Sequence, residues 1–332
     1  MIERNLIGFD HVGSYGYTKN ATSGNYKEMF NVTINVAPKK LNQSIVPTDI
    51  NSKIIYKPEN YIDLSEGIET FQDDGGNEKL ETILQFIEQM DSNEKNLRKR
   101  IDSDFICNRG LLKLIALSFN KFLSLDTVEF RAIRKKNVIF MCFTSHGEEY
   151  DQMFRKTLHL ATKFENCMIE DEENSQKINV FSSSEIDAVD KENNLIEIKL
   201  LKNGRNEKWQ KHRALSVYLQ VYLSNTHLFL FGYRLNENYE ETKGKGVGYE
   251  DPGTYKVHQI ELIERDNVYC KPKTVDDSIC FLYDTLSHIQ KMLYENDLAI
   301  YVKQSARAKF RFEYISSEDC EFVPEEFIEK FE

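Results

Sequence analysis

The chain has 332 residues, of which 40% are hydrophobic and 29% charged, and its formal net charge is −11. This composition is typical of a soluble globular protein and argues against long disordered linkers. The acidic balance excludes a uniformly basic nucleic-acid-binding surface, so any such contact needs a local basic region. No apolar stretch could span a bilayer and no apolar signal segment begins the chain, so we expect no membrane and a nuclear or cytoplasmic protein with reduced cysteines.

Strand and helix patterns alternate along the chain. Residues 1–56 are predicted to be irregular with short strands, one of them at 30–36, and a turn is predicted at 73–77. Apolar stripes at helical spacing predict helices over 80–87, 111–115, 215–222 and 279–293. Apolar or alternating runs predict strands at 138–143, 178–183, 195–201, 227–233, 255–263 and 310–314. This order predicts an α/β fold, a mixed twisted β-sheet core flanked by helices, as a single domain over residues 1–332.

Two acidic motifs, Glu185-Ile186-Asp187 and Glu197-Ile198-Lys199, flank a polar turn at 190–194. Residues i and i+2 of a strand share a face, so a hairpin would bring three acids and one lysine together. A hard divalent cation such as Mg²⁺ resolves the repulsion between the acids, and a lysine beside it can hold attacking water, as in acid–Glu-x-Lys nucleases. A solvated charged hairpin is the open alternative, although the apolar flanks favour a buried strand.

Further motifs surround this pair in a fixed order. They lie at residues 7–10, at 62–68 (IDLSEGI), at 104–110 (DFICNRG), at 161–165 (ATKFE) and in the helix 211–223 that carries Gln220. Together with the two acidic motifs, they make nearly the whole chain resemble the DXO/RAI family of RNA decapping nucleases. Two positions depart from the family pattern: Ala161 replaces the glycine of the GxxxE motif, and Asn108 replaces an aromatic residue before Arg109. Neither change removes a charged catalytic group, so we expect activity to survive, while substrate preference could differ.

The resemblance implies a role for each matched residue. Asp187, Glu197 and the Ile198 carbonyl would bind a first Mg²⁺ or Mn²⁺, with Glu185 beside them. Glu165 would serve a second metal ion or its water, while Lys199 and Gln220 would position attacking water and phosphate. Arg109 would contact the RNA phosphate. Taken alone, Arg109 could equally ion-pair at a helix start, and Glu165 and Gln220 could be ordinary exposed side chains.

The resemblance also implies a substrate, namely RNA with a 5′ cap or 5′ phosphate end. Incomplete caps, nicotinamide-type (NAD) caps and 5′ triphosphates would be removed, with 5′→3′ digestion in some members. The alternative from another class is a non-catalytic partner that stabilises a larger 5′→3′ exoribonuclease, and a third reading is a DNA nuclease of the same metal class.

Basic residues are concentrated near these motifs. Residues 199–213 hold six lysines and arginines against Glu207 alone, with Trp209 among them, and further cations lie at 98–100 and 131–136. These groups could frame a basic channel for RNA, or they could be a solvated charged surface.

Overall fold

The structure is a computed structural model. It describes residues 6–19, 26–37, 40–41, 46–63, 80–119, 128–144, 161–171, 176–201, 204–234, 256–269, 271–304 and 309–332. The helices are α1 (Tyr26–Met29), α2 (Glu81–Gln89), α3 (Leu97–Ile101), α4 (Arg109–Leu117), α5 (Glu207–His212), α6 (Ala214–Tyr222), α7 (Pro272–Met292) and α8 (Glu325–Ile328). None of the helices in these ranges has the length and apolar character needed to cross a membrane.

The first β-sheet runs through the middle of the described structure. Its strands are β1 (Leu6–Lys19), β2 (Phe30–Ile34), β5 (Phe105–Asn108), β6 (Glu129–Lys135), β7 (Val138–Phe143), β8 (Ala161–Asp171), β9 (Gln176–Ile186), β14 (Ala299–Gln304) and β15 (Phe310–Ile315). Their spatial order is β15-β14-β6-β7-β5-β9-β8-β1-β2, with β5 parallel to β7 and β9 and every other neighbouring pair antiparallel. The sheet is therefore mixed, as predicted.

Apolar residues cover both faces of this sheet. On one face, residues of α4, α6 and α7, such as Leu112, Leu219 and Leu286, pack with Phe105 and Val180 of the central strands. The other face packs against α2, α3 and α8. Parallel strands buried on both faces carry continuous apolar runs, which explains the dense pattern that marked residues 138–143 as a buried strand.

The second sheet contains the acidic motifs. Its strands are β3 (Lys53–Ile55), β4 (Ile62–Asp63), β10 (Ala188–Val189), β11 (Leu195–Leu201), β12 (Leu228–Arg234) and β13 (Lys256–Glu264). The order is β10-β11-β12-β13-β3, and β4 also pairs with β13. Only β11 and β12 are parallel among these described strands. One face of the sheet packs on α5 and α6 through Trp209, Val217 and Val221.

The chain passes from the first sheet to the second at the acidic motif. Strand β9 ends at Ile186 in the first sheet, and β10 begins at Ala188 in the second. Asp187 is the single residue between them, so it lies where the two sheets meet. Glu185 is still within β9, which means that Asp187 stands just beyond the strand it was expected to share with Glu185.

The N-terminal prediction is wrong. Residues 1–56 were expected to be irregular with short strands, but β1 extends over 14 residues and pairs with both β8 and β2. Its glycines and two register irregularities interrupt the apolar alternation that identifies a strand. A side chain at Gly13 would meet the Phe86 ring at 2.9 Å, so glycine is needed there for close packing. The predicted strand at 30–36 ends earlier, at Ile34, because Asn35 has a φ of 60°. The predicted turn at 73–77 lies outside the described residues.

Candidate functional site

A β-hairpin brings the two acidic motifs together. Asp190 accepts hydrogen bonds from the backbone N–H groups of Glu192 and Asn194, both at 2.8 Å, and so closes the polar turn. The strands pair as Ala188 with Ile196 and Val189 with Leu195. Extended by one residue, this register sets Asp187 opposite Glu197.

A side-chain contact fixes the open end of this hairpin. The Oδ2 atom of Asp187 accepts a hydrogen bond of 2.7 Å from the backbone N–H of Ile198. Since the N–H and C=O of one strand residue point to the same edge, the Ile198 carbonyl also faces Asp187 rather than β12. The predicted hairpin is present, and the Asp187 carboxylate and the Ile198 carbonyl lie on its inner edge.

Glu197 is the buried centre of the site. It is 4% exposed, and its Oε1 atom accepts from Lys199 Nζ at 2.6 Å and from Gln220 Nε2 at 2.6 Å. Glu197 and Lys199 therefore share a face of β11, as their spacing predicts. Both donors reach the same oxygen, so Oε2 takes part in neither contact. A solvated charged hairpin is excluded for Glu197, because a buried carboxylate requires such partners.

The electrostatics of the site favour an ionised Glu197. Burial by itself would raise the pKa of this carboxyl group, but the positive charges of Lys199, Arg109 and Lys113 outweigh burial and lower it. Lys113 is a residue that the sequence reasoning missed. It stands four residues after Arg109 on α4, a spacing that puts both side chains on one face of the helix, and that spacing could have identified it.

Arg109 and Gln220 connect α4 to α6 beside the buried glutamate. Arg109 begins α4, and its Nη1 donates to the backbone carbonyl of Gln220 at 3.2 Å. The Nε atom of Arg109 is buried and has no hydrogen-bond partner among the described residues. No ion pair of Arg109 occurs within that same part of the chain, so the structural ion-pair alternative has no support there. Gln220 likewise turns inward to Glu197 instead of facing solvent.

Asn108 replaces the expected aromatic residue and has a partner of its own. Its Oδ1 accepts a hydrogen bond of 2.8 Å from Ser183 Oγ, and the two residues are paired across the parallel strands β5 and β9. A polar bridge therefore holds the backbone immediately before Arg109.

The positions of the other two acids are described only through their backbones. Glu165 lies opposite Ser182 and Glu185 opposite Thr162 in the antiparallel pair of β8 and β9. The two acids thus come from neighbouring strands at the end of the sheet that leads to Asp187. Their proposed metal contacts involve side chains outside the described set and stay predictions.

The donor chemistry fits a hard divalent cation. Asp187, Glu197 and the Ile198 carbonyl offer oxygen ligands, which Mg²⁺ and Mn²⁺ prefer. Among the described residues, no group of three or more Asp, Glu, His or Cys side chains is placed to hold a metal ion. Two carboxylates and a carbonyl leave coordination positions for water, substrate or the acids of β8 and β9, a typical arrangement for Mg²⁺.

Much of the basic surface predicted around the site serves the fold instead. Arg98 pairs with Asp104, and Arg100 donates to carbonyls at the C-terminal end of α2. Other cations of this set are also engaged: Arg131 with the Asp319 carbonyl, Arg134 with the Leu293 carbonyl, and Lys135 with Asp297 and Glu325. These contacts occupy most of the cations at residues 98–100 and 131–136, and an RNA channel along them stays a prediction.

Comparisons with known proteins agree with this geometry. The family model described as RAI1 like PD-(D/E)XK nuclease matches residues 39–184. The decapping nuclease dom-3 of Caenorhabditis elegans is 22% identical over 325 residues, which covers 81% of the chain and 75% of the relative.

Solved structures extend the similarity over almost the whole chain. Scheffersomyces stipitis Rai1 in complex with (3′-NADP)⁺ and calcium ion has a TM-score of 0.63 at 12% identity. The match covers 97% of this chain and 96% of the Rai1 chain. Candida albicans Rai1 in complex with pU5-Mn²⁺ has a TM-score of 0.61 at 12% identity, covering 97% and 94%. The predicted α/β fold class is confirmed, and so is the predicted resemblance: the chain is similar to the RAI1-like PD-(D/E)XK nucleases.

Proposed function

We propose that the protein is a Mg²⁺- or Mn²⁺-dependent hydrolase of RNA 5′ ends. The observation that carries the proposal is the buried Glu197, which holds Lys199 and Gln220 on one oxygen beside Asp187. The relative in Caenorhabditis elegans is a decapping nuclease, and the Candida albicans Rai1 structure contains pU5 and Mn²⁺. The chain keeps the acids, the lysine and the glutamine that such chemistry needs, which favours an enzyme over a purely non-catalytic partner.

Asp187, Glu197 and the Ile198 carbonyl would hold the metal, joined by Glu185 and by Glu165 for a second ion or its water. A bound divalent cation supplies a Lewis acid for the phosphate and lowers the pKa of a bound water. Hydrolysis forms a bond from the water oxygen to phosphorus and breaks the phosphorus–oxygen bond to the leaving group. The chain's own residues orient these partners.

Lys199 and Gln220 are the residues in place to orient them. The Lys199 side chain is 25% exposed, so its ammonium group can reach both Glu197 and a substrate at the surface of the site. Gln220 is held by its contact with Glu197 and by the Arg109 contact to its carbonyl. Arg109 keeps a buried Nε without a partner among the described residues, and we assign it to an RNA phosphate, which takes guanidinium donors well.

The substrates we propose are RNAs with incomplete caps, NAD caps or 5′ triphosphates, with 5′→3′ digestion of the exposed strand as a further activity. We also propose a nuclear or cytoplasmic location and a role in RNA quality control. Association with a 5′→3′ exoribonuclease is a separate proposal. A stoichiometric pull-down of such an enzyme by the full chain would support it.

The direct test is incubation of the purified protein and Mg²⁺ with RNAs that differ only at the 5′ end. We expect release of the cap or of phosphate from at least one of them. The double variant Glu185→Ala with Asp187→Ala should lose turnover while its circular dichroism spectrum stays that of the wild type. Undiminished hydrolysis by the double variant would overturn the proposal. Faster cleavage of a matched DNA strand would favour a DNA nuclease instead.

A further inference from the structure

Helix α5 lies directly beside the lysine of the catalytic motif. Asn206 caps the helix by accepting a 2.9 Å hydrogen bond from the Trp209 N–H. Trp209 packs edge-on against Phe231 with 5.9 Å between ring centroids, and Phe231 is paired with Lys199 across the parallel strands β11 and β12. Residues paired across neighbouring parallel strands point to the same face of the sheet, so α5 packs on the face that carries the Lys199 side chain.

The loop before α5 is locked to the sheet by Arg205. Its guanidinium donates to Tyr233 and to both carboxylate oxygens of Glu261, and it lies 5.5 Å from the centroid of the Phe231 ring. Arg205 is therefore engaged by Tyr233 and Glu261, although its place in the basic stretch 199–213 made it a candidate for contact with RNA. Likewise, Trp209 packs against the sheet and is not free to stack on a base. These contacts hold α5 in a fixed position relative to Lys199.

The outer face of α5 and the residue that follows the helix carry cations that have no partner within the described ranges. Lys208, Lys211 and Arg213 are exposed, and their side chains form no hydrogen bond or ion pair with any residue of the described ranges. Glu207 stands four residues before Lys211, a spacing suited to a helical ion pair, yet the two side chains are not paired. In a chain of net charge −11, this leaves a local positive surface next to the site.

We propose that Lys208, Lys211 and Arg213 bind the backbone phosphates of the RNA that continues beyond the reacting 5′ end. The inference rests on the proposed function, because that function puts the 5′ end at Lys199 and Glu197. The rest of the strand must leave the site, and within the described ranges Lys208, Lys211 and Arg213 offer unpaired positive charge beside the sheet face that carries Lys199. Lysine ammonium groups act as point charges on phosphates, so this binding is independent of base sequence.

The test compares Lys208→Gln/Lys211→Gln with the wild type. Binding of a 5′-phosphorylated oligouridylate of about ten nucleotides is measured by fluorescence anisotropy in EDTA over a range of salt concentrations. Each phosphate contact on a single strand contributes about 0.7 to the slope of log K against log salt. Loss of two contacts should reduce the slope by about 1.4. In steady-state assays with Mg²⁺, we expect the wild type to have a lower KM for a long RNA than for a dinucleotide. This difference in KM should disappear in the variant.

A matched control is Lys53→Gln/Lys57→Gln. These two lysines are also exposed, and they lie at or beside β3, at the opposite edge of the second sheet from β10. The control should keep the wild-type slope. An α5 variant with the same slope as the control would overturn the proposal. The slope is measured in EDTA, where no hydrolysis takes place. A wild type that hydrolyses no RNA with Mg²⁺ would therefore refute the proposed function, while the binding experiment would still test the role of Lys208 and Lys211.

Discussion

Substitution of Asp187 by asparagine should separate metal binding from folding. The Oδ2 atom of Asp187 accepts from the Ile198 N–H at 2.7 Å. The oxygen of an asparagine side chain can accept the same hydrogen bond, so the hairpin stays closed while the negative charge is lost. We expect the melting temperature of Asp187→Asn in EDTA to stay close to that of the wild type.

The size of the metal effect follows from linkage. A ligand at one hundred times its Kd stabilises the native state by about 2.7 kcal/mol. With an unfolding entropy of about 2.1 cal/mol/K per residue, a chain of 332 residues unfolds with roughly 0.7 kcal/mol/K. Saturating Mn²⁺ should therefore raise the melting temperature of the wild type by about 4 °C and that of Asp187→Asn by much less.

Asp187→Ala provides the matched comparison. It removes the acceptor as well as the charge, leaving the Ile198 N–H without this partner at a cost of about 1–2 kcal/mol. Its melting temperature in EDTA should fall by roughly 2 °C. Differential scanning calorimetry of the three proteins, with and without metal, measures all of these shifts. A full metal-induced shift in Asp187→Asn would refute the assignment of Asp187 as a ligand, and equal losses in EDTA for both variants would refute the role of the hydrogen bond.

Three further predictions concern other residues. Lys199→Gln should lower kcat by about a hundredfold to a thousandfold in single-turnover assays. The variant should keep the increase in melting temperature that the metal ion causes. Loss of that increase would argue that Lys199 has a merely structural role. Arg109→Gln should lower kcat/KM for RNA by roughly tenfold to a hundredfold, since a charge-assisted hydrogen bond contributes about 1.5–3 kcal/mol; unchanged steady-state kinetics would contradict phosphate binding. For Tyr233, burial and the hydrogen bond to Glu261 raise the pKa to about 12. The raised pKa means that the neutral phenol is stabilised in the folded state. This stabilisation is complete below the unfolded pKa of about 10 and is lost as pH rises towards 12. Urea unfolding should show that the wild type loses more stability over this range than Tyr233→Phe, and parallel pH profiles would show that prediction to be wrong.

Most helices and buried strands were predictable because their signals are local. The apolar stripe of α2 and the dense run of β7 are properties of short segments, and both elements are present. Strand β1 was missed for the opposite reason. Its sequence lacks clean alternation, and its extended form comes from pairing with β8, more than 140 residues away in the chain. The division into two sheets was missed as well, since it depends on where β9 ends and β10 begins.

The site shows the same distinction between features set by neighbouring residues and features set by contacts between distant segments. Glu197 and Lys199 are two residues apart in one strand, so their shared face follows from the two-residue period of a β-strand, and the turn at Asp190 follows from its polar residues. These features were determined by the sequence alone, and so was the order of motifs that indicated the family resemblance.

Only the tertiary structure decided which side chains meet Glu197 and which cations stay available. Gln220 reaches Glu197 across 23 residues of sequence, and Arg109 reaches the Gln220 carbonyl across 111. Arg205 and Lys208 look alike in the sequence, yet Arg205 is bound by Glu261 and Tyr233 while Lys208 faces solvent. The physical reason is that hydrogen bonds and burial depend on distances between elements, which the packing of α4, α5 and α6 on the two sheets sets.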